Sequence, residues 1–83
     1  MTVPDWLSKR DGALKTGIRN HIRFVLIGGA PQYKLEARPA TGQFICAVQQ
    51  SNNGKRLDDG TTYPSEAAAL EGGLEQLRAK LGW

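Results

Sequence analysis

The strongest constraint on the fold is a helical repeat of apolar residues near the C-terminal end of the chain. The repeat has intervals of three and four residues and consists of Ala67, Leu70, Leu74, Leu77 and Leu81. This spacing places apolar side chains along one face of an α-helix. Pro64 suits the first turn, because its missing N–H needs no partner there, and Gly82 is typical of a helix end. The sequence therefore predicts one long amphipathic helix over residues 64–81.

Three segments ahead of this helix have the character of β-strands. Residues 33–38 and 43–49 alternate apolar and polar side chains, and residues 55–62 do so more weakly around Leu57. The connections are short, and Asn53-Gly54 is a strong hairpin signal. Short connections join antiparallel neighbours, so we predict a meander with one apolar face under the helix. That face would consist of Tyr33, Leu35, Phe44, Cys46, Val48 and Leu57.

The N-terminal third fits two kinds of structure. Leu14, Ile18 and Ile22 recur every four residues, which favours a helix, although Gly17 would cost it about 1 kcal/mol. Residues 22–27 are rich in Ile, Phe and Val and also alternate, which favours a strand. We predict a short helix from Asp11 to Arg19, followed by a fourth strand.

These elements predict a single α+β domain over residues 1–83. A basic N-terminal segment (1–20) would precede an antiparallel sheet of three to four strands (21–63), and the long helix (64–81) would cover the sheet.

The composition indicates in which cellular compartment the protein is expected. Cys46 is the only cysteine among 83 residues, so neither an intramolecular disulfide nor a cysteine zinc site can form within one chain. The first residues lack the charged and then apolar pattern of a signal peptide. Apolar runs such as residues 24–27 are far shorter than a membrane span. We therefore expect a cytoplasmic protein that does not enter a membrane.

The residues that most often carry catalysis have no recognisable constellation in this chain. His21 has no carboxylate close to it in sequence, and Cys46 falls on the predicted core face of a strand. Asp58 and Asp59 are adjacent strand residues, whose side chains point to opposite faces. Gly28-Gly29 lacks the spacing and the lysine of a phosphate-binding loop. We expect no catalytic residue, no cofactor and no metal, and hence a protein that is not an enzyme.

Positive charge is concentrated in the N-terminal third. The chain carries a net charge of +3, and residues 1–23 hold five basic residues against two acidic ones. Such a segment attracts polyanions. The outward face of the predicted sheet would present Lys34, Gln43 and Gln49 together with arginines, although Glu36 and Asp58 on the same face would repel phosphate.

From this charge distribution we predict a non-enzymatic module that binds DNA or RNA with weak or no sequence specificity. A solvated basic surface would carry the same side chains and is the alternative interpretation. The predicted contact residues are Lys9, Arg10, Lys15, Arg19, Arg23, Arg38 and Arg56.

A resemblance supports the predicted fold. The residues that carry it are Tyr33, Arg38-Pro39, Gly42, Phe44, Asn53-Gly54, Arg56, Gly60-Thr61 and Glu66-Ala67-Ala68-Ala69. Over residues 33–81 this pattern resembles the three-strand-plus-helix DNA-binding domains of plant ethylene-response factors and of recombinase arm-binding domains. Those domains read bases with Arg and Trp on their strands, and only Arg38 and Arg56 correspond here.

The same stretch is similar in outline to double-stranded-RNA-binding domains. The matching residues are Pro31, Tyr33, Phe44, Val48, Gly54-Lys55, Gly60 and Glu66-Ala67. That family has a basic cluster at the start of its last helix, where this chain has Tyr63-Pro64-Ser65-Glu66.

A second functional hypothesis concerns the side of the predicted helix opposite its leucines. Ala68, Gly72 and Ala79 form a stripe of small residues there, which allows another backbone to approach closely. That neighbour would be the N-terminal segment, a second copy of the chain in a homodimer, or another protein; a solvent-facing helix is the alternative. Trp6 and Trp83 are further candidates for a protein contact. Under this second hypothesis, the chain itself is a small protein-interaction or regulatory partner of another protein.

Overall fold

The computed structural model describes residues 3–83 and folds them into an antiparallel sheet with both helices on one face. The elements are α1 (Asp5–Ser8), β1 (Gly12–Thr16), β2 (Ile22–Ile27), β3 (Ala30–Ala40), β4 (Gln43–Gln50), β5 (Thr62–Tyr63) and α2 (Glu66–Leu81). The strand order is β1-β2-β3-β4-β5, so each strand pairs with its sequence neighbour. The predicted α+β meander under a C-terminal helix is confirmed.

Two tight turns set the register of the long strands. Gly28 and Gly29 connect β2 to β3, and Thr41 and Gly42 connect β3 to β4. All four residues have positive φ angles, between 42° and 81°. Positive φ at both central positions of a two-residue turn matches the twist of antiparallel strands. The turns therefore continue the ladder directly.

Helix α2 begins and ends at residues suited to those positions. The Ser65 hydroxyl accepts a hydrogen bond from the Ala68 N–H at 3.1 Å, which makes Ser65 the N-cap. Gly82 closes the helix in the left-handed conformation, with φ of 71°. The helix thus starts at Glu66, two residues after the predicted start at Pro64, because the cap residue itself is extended.

The core lies between the sheet and the two helices. Its fully buried large side chains are Leu7, Val25, Leu35, Cys46, Val48 and Leu77. Helix α2 approaches β4 so closely at Gly73 that a Cβ there would lie 2.1 Å from the Cys46 sulfur. Helix α1 covers the other end of the same face and inserts Leu7.

The predicted helix from Asp11 to Arg19 is wrong. Residues 12–16 form β1, which pairs antiparallel with β2 and places Leu14 opposite Val25. Leu14, Ile18 and Ile22 do not share a helical face, because Ile18 is fully exposed in the turn after β1. The only N-terminal helix in residues 3–83 is α1, which precedes the predicted position.

The predicted strand over 55–62 is also corrected. Only a single bridge, between Arg56 and Gln49, joins this segment to β4 before the short β5 begins at Thr62. The ladder stops because the Asp58 carboxylate, instead of a backbone carbonyl, accepts the Val48 N–H at 3.0 Å. With β1 in place of the predicted helix, the sheet has five strands rather than three or four.

Residues 1–2 of the predicted basic N-terminal segment lie outside the described residues. Across residues 3–83, no helix combines the length and the apolar character needed to cross a lipid bilayer.

Candidate nucleic-acid interface

The two faces of the sheet differ in what covers them. Val25, Leu35 and Val48 point toward the helices and are fully buried. Their strand neighbours point to the opposite side, since successive side chains alternate between faces. Neither helix in residues 3–83 packs on that opposite side, which we call the open face.

One row of paired residues crosses the open face from edge to edge. Lys15 pairs with Phe24, and Phe24 pairs with Lys34. Lys34 in turn pairs with Gln49, which bridges to Arg56. Directly paired residues of antiparallel strands lie on the same face with Cβ atoms about 5 Å apart. The row, which we call the basic row, therefore places an aromatic ring between two lysines and continues to an amide and a guanidinium group.

Glu36 lies next to the basic row and is held in an ion pair. The Arg38 guanidinium donates to Glu36 Oε1 at 2.8 Å, and His21 Nε2 lies 3.8 Å from Glu36 Oε2. The hydrogen bond from Arg38 is the main reason why the pKa of Glu36 lies below its ordinary value. The carboxylate therefore stays ionised and is neutralised locally.

Asp58 is held in the same way at the far edge of the face. Its carboxylate accepts two hydrogen bonds from Arg56, at 2.6 and 2.8 Å, and one from the Val48 N–H. The Arg56 hydrogen bonds lower the pKa of Asp58, and the backbone hydrogen bond adds to this effect. The Asp58 side chain is only 5% exposed, whereas Arg56 is 43% exposed. The guanidinium group is thus the part of the pair that solvent reaches.

Phe24 lies in a shallow groove at the β1–β2 end of the open face. The groove, which we call the apolar groove, is lined by Lys15, Thr16, Gly17, Ile18, Phe24, Leu26, Gly29 and Pro31. Leu26 pairs with Pro31 across the strands, and Ile18 projects from the turn with its side chain fully exposed. A Cβ at Gly17 would lie 2.6 Å from Ile22 Cγ2 and 3.2 Å from Phe24 Cε2, so the turn backbone packs against the ring.

The predicted contact residues do not share one surface. Lys15, Arg38 and Arg56 lie on the open face, and Arg19 is exposed in the turn between β1 and β2.

Three of the predicted contact residues lie elsewhere. Arg23 pairs with the buried Leu35, on the helix side, and its guanidinium donates to the carbonyls of Asn20 and Ile22. The guanidinium carbon of Arg10 lies 4.6 Å from the centre of the Trp83 ring, and Lys9 lines a cavity beside the same ring. The structure thus separates the N-terminal cations that the sequence analysis grouped together.

The sequence analysis did not identify Phe24 as a residue of the candidate site. Ile22, Phe24 and Leu26 alternate with Arg23, Val25 and Ile27, and both sets contain large apolar side chains. The pattern therefore marked a strand but did not distinguish its covered face from its open face. The direct pairing of Lys34 with Phe24 likewise depends on strand register.

The small-residue stripe of α2 is in contact with the chain itself. A Cβ at Gly72 would lie 2.2 Å from the Tyr63 ring, so the close approach predicted for a partner is made by β5. Gln76 donates to the Tyr63 hydroxyl at 2.7 Å and accepts the Asp59 N–H at 3.0 Å. Ala68 is half-buried and Ala79 is exposed. A partner site at Ala68, Gly72 and Ala79 stays a prediction, but its glycine is accounted for within the chain.

Cys46 and the acidic residues offer little reactive chemistry. Burial raises the pKa of the Cys46 thiol to about 11, and the side chain is 1% exposed. Within residues 3–83, no three His, Cys, Asp or Glu side chains come together as a group that could hold a metal ion. The open face itself presents charge, hydrogen-bonding groups and an aromatic ring.

In comparisons with known proteins, no family model, no curated protein and no solved structure matches this chain.

Proposed function

We propose that this protein binds nucleic acid through the open face of its sheet, with weak or no sequence specificity. The observation that carries the proposal is the basic row, in which Lys15 and Lys34 flank Phe24 and the line continues through Gln49 to Arg56. Such a row offers phosphate contacts and an aromatic surface on one uncovered side of the molecule.

The charge balance of the open face supports this proposal. Glu36 and Asp58 would repel phosphate, but each is already bound to an arginine. Lys15 and Lys34 have no ion-pair partner within residues 3–83, so they leave the face with an excess of positive charge. The excess attracts polyanions and releases counterions when phosphates bind.

The same contacts support weak specificity. An arginine distinguishes guanine by a bidentate hydrogen bond to its major-groove edge. The guanidinium groups of Arg38 and Arg56 already donate to carboxylates, and a lysine acts as a point charge without such a fork. The proposal is compatible with the resemblance of residues 33–81 to DNA-binding domains that use their sheet, although only Arg38 and Arg56 correspond to the base-reading residues of those domains.

The test is a salt titration with labelled DNA and RNA oligonucleotides, followed by fluorescence anisotropy. Affinity should fall linearly with salt on a double-logarithmic scale. Lys15→Ala and Lys34→Ala should each weaken binding at low salt and reduce the slope by roughly 0.7 to 0.9.

Lys80→Ala is the matched control, because it removes the same charge from an exposed position on α2. It should leave the slope unchanged. The absence of binding at low salt, or an equal loss in Lys80→Ala, would overturn the proposal.

A further inference from the structure

The apolar groove indicates which form of nucleic acid the open face takes. We infer that it selects single-stranded over double-stranded nucleic acid by stacking one unpaired base on Phe24. This inference rests on the proposed function and adds a substrate class to it.

The residues around Phe24 suit an unpaired base better than a base pair. Ile18, Leu26 and Pro31 provide apolar walls beside the ring, and Lys15 stands at the rim. A nucleobase has a flat π-face, which gains free energy by stacking on an aromatic side chain. The two lysines that pair with Phe24 are placed for the phosphates on either side of that base.

A duplex cannot use this arrangement. In a double helix each base is stacked between its neighbours, and only its edges are accessible in the grooves. Phe24 and Ile18 would then contact no base face, so the apolar groove would contribute nothing to affinity.

The experiment compares an oligothymidine strand with a blunt duplex of the same length, by anisotropy at one salt concentration. The wild-type protein should bind the single strand more tightly. Phe24→Leu keeps an apolar side chain but removes the ring, and should weaken single-strand binding roughly fivefold or more while leaving duplex binding unchanged. Phe24→Trp should retain the preference, because it keeps an aromatic face.

Ile45→Val is the matched control, because Ile45 is a half-buried apolar residue of the open face that pairs with Arg38 outside the basic row. Circular dichroism confirms that each variant is folded. Equal affinity of the wild type for both forms, or an equal effect of Phe24→Leu on both, would overturn the inference. If Lys15→Ala and Lys34→Ala still reduce the salt slope in that case, the proposed function survives. If neither oligonucleotide binds, the proposed function itself fails.

Discussion

Individual ion pairs decide the charge that the open face presents. Arg38 holds Glu36 and Arg56 holds Asp58, each through a guanidinium that donates at 2.6 to 2.8 Å. The arginines thus neutralise the two acids that would otherwise repel phosphate, and the lysines of the basic row supply the net charge. The Asp58 pair has a second role, because its carboxylate also accepts the N–H of Val48 where the ladder ends.

Removing the charge of Asp58 should therefore change stability and its dependence on pH. The pKa of Asp58 lies below its ordinary value of 3.8 in the folded protein. A carboxyl of this kind stabilises the fold above its unfolded pKa, and the contribution is lost as pH falls through the folded pKa. We expect Asp58→Asn to lower the free energy of unfolding by about 1–2 kcal/mol at neutral pH and by less at pH 3, where part of the wild-type contribution is already lost.

Urea unfolding at both pH values measures this difference. Glu71→Gln, an equivalent change at an exposed position on α2, should leave both values within about 0.5 kcal/mol of the wild type. An Asp58→Asn protein with the same loss of stability on acidification as the wild type would contradict the expectation.

Among the elements, the docking of α1 on β1 depends on one glycine. A Cβ at Gly12 would lie 2.5 Å from Leu7 Cδ1 and 2.6 Å from the Leu7 carbonyl oxygen. Leu7 is completely buried, so α1 reaches the core only because β1 has no side chain at that point. A helix of four residues has little stability of its own, and this contact holds it in place.

Gly12→Val should displace α1 although valine favours a strand. We expect a loss of about 1–3 kcal/mol in the free energy of unfolding, because the new side chain overpacks the site. Chemical denaturation measures the loss, and a red shift of tryptophan fluorescence in the folded state would report that Trp6 has moved into water. The neighbouring Ala13→Val is the control, since Ala13 is exposed on the open face. Equal stability of the two variants would show that Leu7 does not need the glycine.

For the molecule as a whole, an aromatic cluster joins the two ends of the described chain. The ring centres of Trp6 and Trp83 are 6.0 Å apart, and Tyr33 of β3 meets Trp83 edge-on at 6.4 Å. Arg10 lies over Trp83 and Arg78 over Trp6. Because the cluster lies on the helix side, Trp6 and Trp83 close the core without covering the open face.

Trp83→Ala should loosen the packing of the aromatic cluster against the core and leave the open face of the sheet unchanged. We expect the free energy of unfolding to fall by about 1–3 kcal/mol, since a half-buried aromatic side chain and its ring contacts are lost. Amide hydrogen exchange of residues 5–8 should accelerate more than that of β3 and β4. Trp83→Phe, which keeps a ring, should lose less. Uniform acceleration across all elements would contradict a specific role in docking α1.

Local patterns predicted β3, β4 and α2 correctly. The leucine repeat identified α2, and alternation identified the strands now seen as β3 and β4, because a helix face or a strand face can be recognised from a few consecutive residues. Cys46 was correctly placed on the covered face for the same reason. Positive charge on the open face followed from the same alternation at Lys34 and Arg38.

The N-terminal half depended on contacts between distant residues. Gly12 to Thr16 form a strand because β2 is available to pair with them, whereas the apolar spacing through Ile18 suggested a helix that has nothing to pack on. Both sides of β2 carry large apolar side chains, so the orientation of Phe24 was settled only when the helices covered one side of the sheet. The candidate site is a row across five chain segments, and such a row exists only once strand register brings those segments together.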